Sequence, residues 1–178
     1  GDALLIASGA GNSPWTVLSQ GVSQISGWSI GVTTFLTSLA VLLFWIPLKQ
    51  KPGIGTILNV VLISIAIEVS LPYLPHPDSY ALQVVEAGLG ILLVGFGSGL
   101  YLIANLGPGP RDGLMTGLQR VTNLPVARVR TAIEVAVVFF GWLLGGTIGL
   151  GTLMFAFGIG PAVSMGLYVV NYFSTRST

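Results

Sequence analysis

Long apolar runs, separated by short glycine- and proline-rich connections, dominate this chain. Five of the runs are long enough to cross a bilayer, because a transmembrane helix needs about 20 apolar residues. Two shorter segments, Pro14–Ser26 and Pro110–Thr122, each follow a glycine-rich stretch and are too short to span. We predict helices for all seven segments; the five predicted spans cover residues 28–48, 53–74, 82–105, 125–144 and 149–173.

An internal repeat relates the two halves of the sequence. Shifting the chain against itself by 96 positions aligns residues 11–14 (GNSP) with 107–110 (GPGP), and residues 53–56 (GIGT) with 149–152 (GLGT). The alignment needs no gap and matches both glycine-rich motifs, which shared composition alone seldom produces. Each repeat is therefore predicted to contain a spanning helix, a Gly/Pro break, a short helix and two further spans.

Repeat 1 covers about residues 1–75 and repeat 2 about residues 82–173, within a single predicted transmembrane domain over residues 1–178. The first span of repeat 2 corresponds to a helix that would begin upstream of Gly1, so we expect the chain to begin inside its first helix. Three spans per repeat is an odd number, so the second repeat enters the membrane in the opposite direction. The predicted fold class is all-α and integral to the membrane. It has six transmembrane helices, the first truncated, arranged as two inverted three-helix repeats, each with a Gly/Pro-broken short helix.

The composition excludes several classes of protein. Of the 178 residues, 52% are hydrophobic and 7% are charged, whereas soluble domains carry about 25% charged residues. Seven basic and six acidic residues leave no basic surface for a nucleic acid. There is no Cys and a single His, His76, which argues against thiolate and multi-histidine metal sites. We therefore predict the lipid bilayer as a partner, no nucleic acid, no metal, no cofactor and no enzymatic activity.

The basic residues predict the orientation of the chain. In the six-helix arrangement all seven lie on one side of the membrane, and the connections on the other side contain no Lys or Arg. Because cytoplasmic connections are enriched in Lys and Arg, we expect this side, and the C-terminus with it, to be cytoplasmic. The seven residues are Lys49, Lys51, Arg111, Arg120, Arg128, Arg130 and Arg176.

Charged residues inside the predicted spans are candidates for a functional site. A charge at the bilayer centre costs about 3 kcal/mol, so it needs a partner or a task. Glu134 lies near the middle of its span, and Arg130 lies one turn earlier on the same face as an i,i+4 pair. Glu134 is a candidate proton or cation site and Arg130 a candidate anion contact. A buried structural ion pair explains the same spacing.

Arg111 and Asp112 open the short helix of repeat 2, directly after its Gly/Pro break. In transporters with inverted repeats, broken helices meet near the midplane and direct half-helix N-termini toward an anionic or polar ligand. The two Gly/Pro breaks and the short helices after them could form re-entrant half-helices around a ligand or ordinary interfacial loops, and both interpretations remain open. For Arg111, a ligand contact and a contact with lipid phosphates remain open.

Other polar residues in the predicted spans are weaker candidates. Asn59 follows the Gly-x-Gly-Thr motif. Glu68 and Glu86 occupy consecutive spans, where a shared proton, a vestibule and structural pairing all remain open. Trp15 and Trp28 are predicted to anchor the chain at the membrane interface. The candidate substrate-binding or ion-coupling residues are Arg111, Asp112, Arg130, Glu134, Asn59 and Glu68.

Several of these motifs resemble the YczE-like family of bacterial membrane proteins. They are residues 107–117 (GPGPRDGLMTG), 129–134 (VRTAIE) and 145–152 (GGTIGLGT), with Pro14-Trp15 and residues 53–59 (GIGTILN) in the first half. The resemblance extends to about Met165, and Thr16 stands where the family usually has an acidic residue. It implies a multi-pass protein of the bacterial cytoplasmic membrane. Through transporter-like folds it also implies a transport role, although the family has no established activity.

Two functions stay open at this point. The first is a transporter or permease-like protein with a polar site between the two Gly/Pro breaks, as a homodimer where one chain is too thin to shield that site. The second is a non-catalytic accessory or assembly subunit of a larger membrane complex, whose apolar faces bind partner helices. An intramembrane enzyme is disfavoured, because the chain has no Cys, one His and no acids paired at a catalytic spacing.

Overall fold

The protein is all-helical. The computed structural model describes the backbone of residues 1–174 and the side chains of residues 1–169, and this part of the chain contains no strand. This confirms the all-α prediction; Arg176, predicted to be cytoplasmic, lies outside the described residues. The helices are α1 (Asp2–Ser8), α2 (Pro14–Ser26), α3 (Ile30–Trp45), α4 (Ile54–Ser70), α5 (Tyr80–Ala104), α6 (Pro110–Thr122), α7 (Val126–Leu143) and α8 (Leu150–Ser174), with a 3-10 turn at Leu71–Tyr73.

Prolines set several of the helix bounds. α2 and α6 begin at Pro14 and Pro110, as predicted. Proline suits the first helical position, because an N–H there has no partner within the helix. α3 ends at Trp45, before the predicted residue 48. Pro47 explains the difference, since proline lacks the N–H that would continue the helix.

Three helical segments are long and apolar enough to cross a membrane: Ile54–Tyr73, Tyr80–Ala104 and Leu150–Val169. α2 and α3 together form a fourth candidate, bent by 116° at their junction. α7 has 18 residues but carries three charged side chains, those of Arg128, Arg130 and Glu134. The described helices therefore offer three to four candidate spans by length and composition, as befits a membrane protein.

The backbone repeats with the same offset as the sequence. α2, α3 and α4 begin at residues 14, 30 and 54, and α6, α7 and α8 begin 96 positions later, at residues 110, 126 and 150. The described residues with positive φ also form pairs at this offset. These pairs are Gly9 with Asn105, Gly11 with Gly107, Gly27 with Asn123, and Lys49 with Gly145.

The chain forms two compact units, and each unit contains segments of both repeats. Unit 1 comprises residues 1–13, 70–105 and the chain from residue 147 onward. Within it, α5 lies against α8 at Gly95 and Gly99, where a side chain on α5 would collide with α8. Small residues of this kind let membrane helices approach closely. The buried core of unit 1 includes Leu5, Ala87, Ile91, Phe155 and Ile159.

Unit 2 comprises residues 14–69 and 106–146. Within it, α2 packs against α7 and α6 packs against α3. Gly141 allows α7 to touch the backbone of α2 near Leu18, and Gly113 allows α6 to touch the indole ring of Trp45. The buried core of unit 2 is formed by Trp15, Val41, Trp45 and Leu114.

Replacing Gly95 by Ala tests the close approach of α5 and α8. The added methyl group would meet Ala162, and overpacking of this kind costs about 1–3 kcal/mol. Gly97→Ala is the matched control on the same helix, because the added methyl group has no neighbour within 4 Å. Alanine is favoured over glycine inside a helix by about 0.5–1 kcal/mol.

We expect Gly95→Ala to lower the thermal unfolding midpoint of the detergent-solubilised protein, and Gly97→Ala to raise it or leave it unchanged. Equal midpoints for the two variants would contradict this packing.

Candidate functional site

The Gly/Pro break before α6 is a short non-helical segment, and the first turn of α4 holds it in place within unit 2. The N–H of Gly55 donates to the carbonyl of Leu106 at 2.9 Å. The hydroxyl of Thr56 donates to the carbonyl of Pro108 at 2.6 Å and accepts from the N–H of Gly53 at 3.1 Å. These bonds satisfy carbonyls that belong to no helix, and they fix the point at which α6 begins.

The break before α2 is held in the same way in unit 1. The N–H of Gly151 donates to the carbonyl of Ala10 at 2.8 Å, and the hydroxyl of Thr152 accepts from the N–H of Gly149 at 3.3 Å. Ala10 and Leu106 are equivalent at the offset of 96, as are Gly151 and Gly55. The Gly-x-Gly-Thr motif of each repeat therefore binds the break of the other repeat.

Glycine is required at the centre of each break. Gly11 has φ 119° and Gly107 has φ 114°, a region that residues with a side chain rarely adopt. A Cβ at Gly11 would also lie 2.6 Å from the backbone nitrogen of Gly149, and one at Gly107 would lie 2.9 Å from Cα of Gly53. The positive φ and the lack of room for a Cβ together explain why glycine occupies the centre of each break.

Four of the predicted site residues belong to one charged cluster in unit 2. Arg111 and Asp112 stand in the first turn of α6, and Arg130 and Glu134 stand on α7. Nε of Arg130 lies 2.9 Å from Oε1 of Glu134 in the predicted i,i+4 ion pair. Asp112 interacts electrostatically with Arg130, Arg111 and Glu134. We call these four residues the charged cluster.

The ion pair is open at the surface of the chain. The side chains are 48% exposed for Arg130 and 24% exposed for Glu134. Glu134 lies eight residues after the start of α7, or about 12 Å along a helix of about 27 Å. An accessible ion pair therefore lies near the middle of this helix, rather than a pair enclosed by protein.

The protein around Asp112 shifts the pKa of its carboxyl. Burial raises this pKa above its ordinary value. The guanidinium groups of Arg130 and Arg111 oppose the rise, and Glu134 adds to it. The residue as a whole stays exposed at the surface of the chain, so solvent reaches it.

Trp15 corrects one prediction. It was predicted to anchor the chain at the membrane interface, but it is 6% exposed and belongs to the core of unit 2. The guanidinium carbon of Arg111 lies 5.5 Å from the centre of its ring, within cation–π range. Trp28, by contrast, is 55% exposed. Arg111 and Trp15 are equivalent at the offset of 96, and no local pattern in the chain predicts that equivalent residues touch.

The remaining two predicted site residues, Asn59 and Glu68, lie on α4 and not in the charged cluster. Glu68 accepts a hydrogen bond from the N–H of Gly31 at 3.1 Å, so it satisfies a backbone donor in the first turn of α3. Asn59 is half-buried. Among those residues, no three His, Asp or Glu side chains converge in a group that could hold a metal ion.

Comparison with known proteins identifies relatives of the chain. Residues 1–166 match the family of unknown function DUF6198. An uncharacterized protein of Haemophilus influenzae is 44% identical over 170 residues, which cover 96% of this chain and 78% of that protein. The uncharacterized membrane protein YczE of Bacillus subtilis is 32% identical over 94% of this chain and 80% of its own length.

A third relative, the uncharacterized protein YyaS of Bacillus subtilis, is 26% identical over 86% of this chain and 79% of its own length. No solved structure matches the chain. The resemblance to the YczE-like family is therefore confirmed.

Replacing Thr56 by Val tests how the start of α6 is held. The substitution keeps the side-chain shape but leaves the carbonyl of Pro108 and the N–H of Gly53 without their hydroxyl partner. Losing the partner of a buried polar group costs about 1–3 kcal/mol. We expect a lower thermal unfolding midpoint for Thr56→Val and a near-normal midpoint for Thr56→Ser, which retains the hydroxyl. A Val variant as stable as the Ser variant would show that these bonds do not hold the break.

Proposed function

The chain belongs to this family of unknown function, and we propose that it is a transporter or permease-like protein of the bacterial cytoplasmic membrane. In this proposal the charged cluster binds a small anionic solute. The observation that carries the proposal is the accessible ion pair of Arg130 and Glu134 near the middle of α7. A charge facing hydrocarbon at that depth costs about 3 kcal/mol. The arrangement therefore favours a water-filled path beside the ion pair.

The charges of the cluster favour an anion taken up with a proton. With all four groups ionised, the two arginines and two carboxylates balance. Protonation of Asp112 leaves one net positive charge beside the first turn of α6, where helix N–H groups also favour negative charge. The raised pKa of Asp112 supports this coupling, since proton binding and anion binding then assist each other.

The paired contacts support two inverted repeats with three spans each. Gly55 of repeat 1 binds Leu106 of repeat 2, and the equivalent Ala10 and Gly151 bind each other. Reciprocal contacts of this form are the mark of two-fold symmetry. The contact of Arg111 with Trp15 joins equivalent residues, as expected where such an axis passes. With an odd number of spans per repeat, a two-fold axis in the membrane plane gives the inverted arrangement of many transporters.

The orientation belongs to the same proposal. The connection with Lys49 and Lys51 and the segment from Arg111 to Arg130 would face the cytoplasm, following the enrichment of basic residues there. The anion would then meet arginine side chains on the cytoplasmic half of its path.

Flux in proteoliposomes tests the proposal. Vesicles containing the purified protein and a trapped pH-sensitive dye would receive an inward gradient of inorganic phosphate, sulfate or citrate in separate trials. We expect proton uptake with at least one of these anions. A hydrogen bond to a charged group contributes about 1.5–3 kcal/mol, so Glu134→Gln should slow uptake by about tenfold or more. Glu68→Gln, which alters a carboxylate outside the cluster, should retain uptake.

Two results would contradict transport. Normal flux in Glu134→Gln, together with failure of Arg130→Ala to fold, would make the ion pair structural. Absence of proton uptake with all three anions, together with a second polypeptide at fixed ratio in native mass spectra, would favour the accessory-subunit function.

A further inference from the structure

Glu86 is a buried carboxyl group that the proposed function does not use. It lies on α5 in unit 1 and is 7% exposed. Neither of its carboxyl oxygens has a hydrogen-bond partner among the described residues. It is also the only charged residue of α5.

An ionised Glu86 would be unfavourable in this position. Burying an ionised carboxylate without a partner carries so large a penalty that such groups bind a proton instead. A neutral carboxyl in the same place lacks only ordinary hydrogen bonds, at about 1–3 kcal/mol. Glu68 shows the opposite situation, because it is exposed and its carboxylate binds the N–H of Gly31.

We propose that Glu86 is a proton-binding site of unit 1, separate from the charged cluster. The proposal goes beyond the transport of an anion, since it concerns a different unit and a different ligand.

The connection before α5 brings one imidazole to the same unit. His76 is exposed at the surface and interacts electrostatically with Glu86. Its Nδ1 lies 3.1 Å from the carbonyl of Ala7 in the last turn of α1. Glu86 lies six residues into α5, or about 9 Å along the helix.

The other elements packed on α5 bring few groups that titrate. α1 brings Asp2, with the amino group of Gly1 directly before it. Among the described side chains of α8, Tyr168 is the one that titrates. The chain between α4 and α5 contains Tyr73, His76 and Asp78. Besides His76, therefore, no basic side chain of unit 1 within the described residues stands ready to stabilise an ionised Glu86.

Infrared spectroscopy of the full chain in lipid vesicles tests the proton site. A protonated carboxyl has a C=O stretching band that an ionised carboxylate lacks. We expect the difference spectrum of the wild type minus Glu86→Gln at neutral pH to contain this band, because the lipid carbonyls and any proton on Asp112 contribute equally to both spectra and cancel. The difference spectrum of the wild type minus the matched control Glu68→Gln should not contain it. Absence of the band from the first difference spectrum, as for a carboxylate holding a metal cation, would overturn the proposal.

A second measurement needs no variant of Glu86. Dicyclohexylcarbodiimide reacts with protonated carboxyls in apolar surroundings, and peptide mass spectrometry would locate the product. We expect labelling at Glu86 and not at Glu68; labelling of Glu68 alone would overturn the assignment.

Neither measurement depends on flux. Failure of anion transport with an intact Glu86 band would refute the proposed function alone, and the reverse result would refute the proton site alone.

Discussion

The structure depends on how the backbone carbonyls in its two Gly/Pro breaks find hydrogen-bond donors. At membrane depth, non-helical backbone is tolerated only where protein or a water-filled cavity supplies its hydrogen-bond partners. The carbonyls of Ala10 and Leu106 accept hydrogen bonds from the N–H groups of Gly151 and Gly55. In both cases the donor comes from the other repeat. Neither repeat can satisfy its own break, so the two must fold together.

The hydrogen bonds between the repeats also position the charged residues. The bond from Thr56 to Pro108 fixes the residue before the N-cap of α6, and the next turn carries Arg111 and Asp112. α7 then brings Arg130 and Glu134 close enough to act on Asp112. Four of the chain's few charged side chains thus converge in unit 2, whereas unit 1 contains the solitary buried carboxyl of Glu86. The two units therefore differ in chemistry: unit 2 has an open cluster, which we propose binds an anion, and unit 1 has an enclosed carboxyl, which we propose binds a proton.

Local signals in the sequence were sufficient for the helices and the repeat. Proline at the first helical position predicted where α2 and α6 begin. The i,i+4 spacing likewise predicted the pair of Arg130 and Glu134. Contacts between distant segments carry no such local signal. The burial of Trp15, the bond of Glu68 to the α3 backbone and the partners of each Gly-x-Gly-Thr motif depend on which helices meet, and sequence periodicity does not determine that.

Single cysteines at equivalent positions test the inverted arrangement most directly. Gln24 and Arg120 lie 96 positions apart, both are exposed at the ends of the short helices, and the chain has no native cysteine. A membrane-impermeant maleimide would be added to intact bacterial cells, and then to cells with permeabilised membranes. Inverted repeats predict that Gln24→Cys is labelled in intact cells and Arg120→Cys only after permeabilisation. Labelling of both variants from the same side would show that the repeats are not inverted.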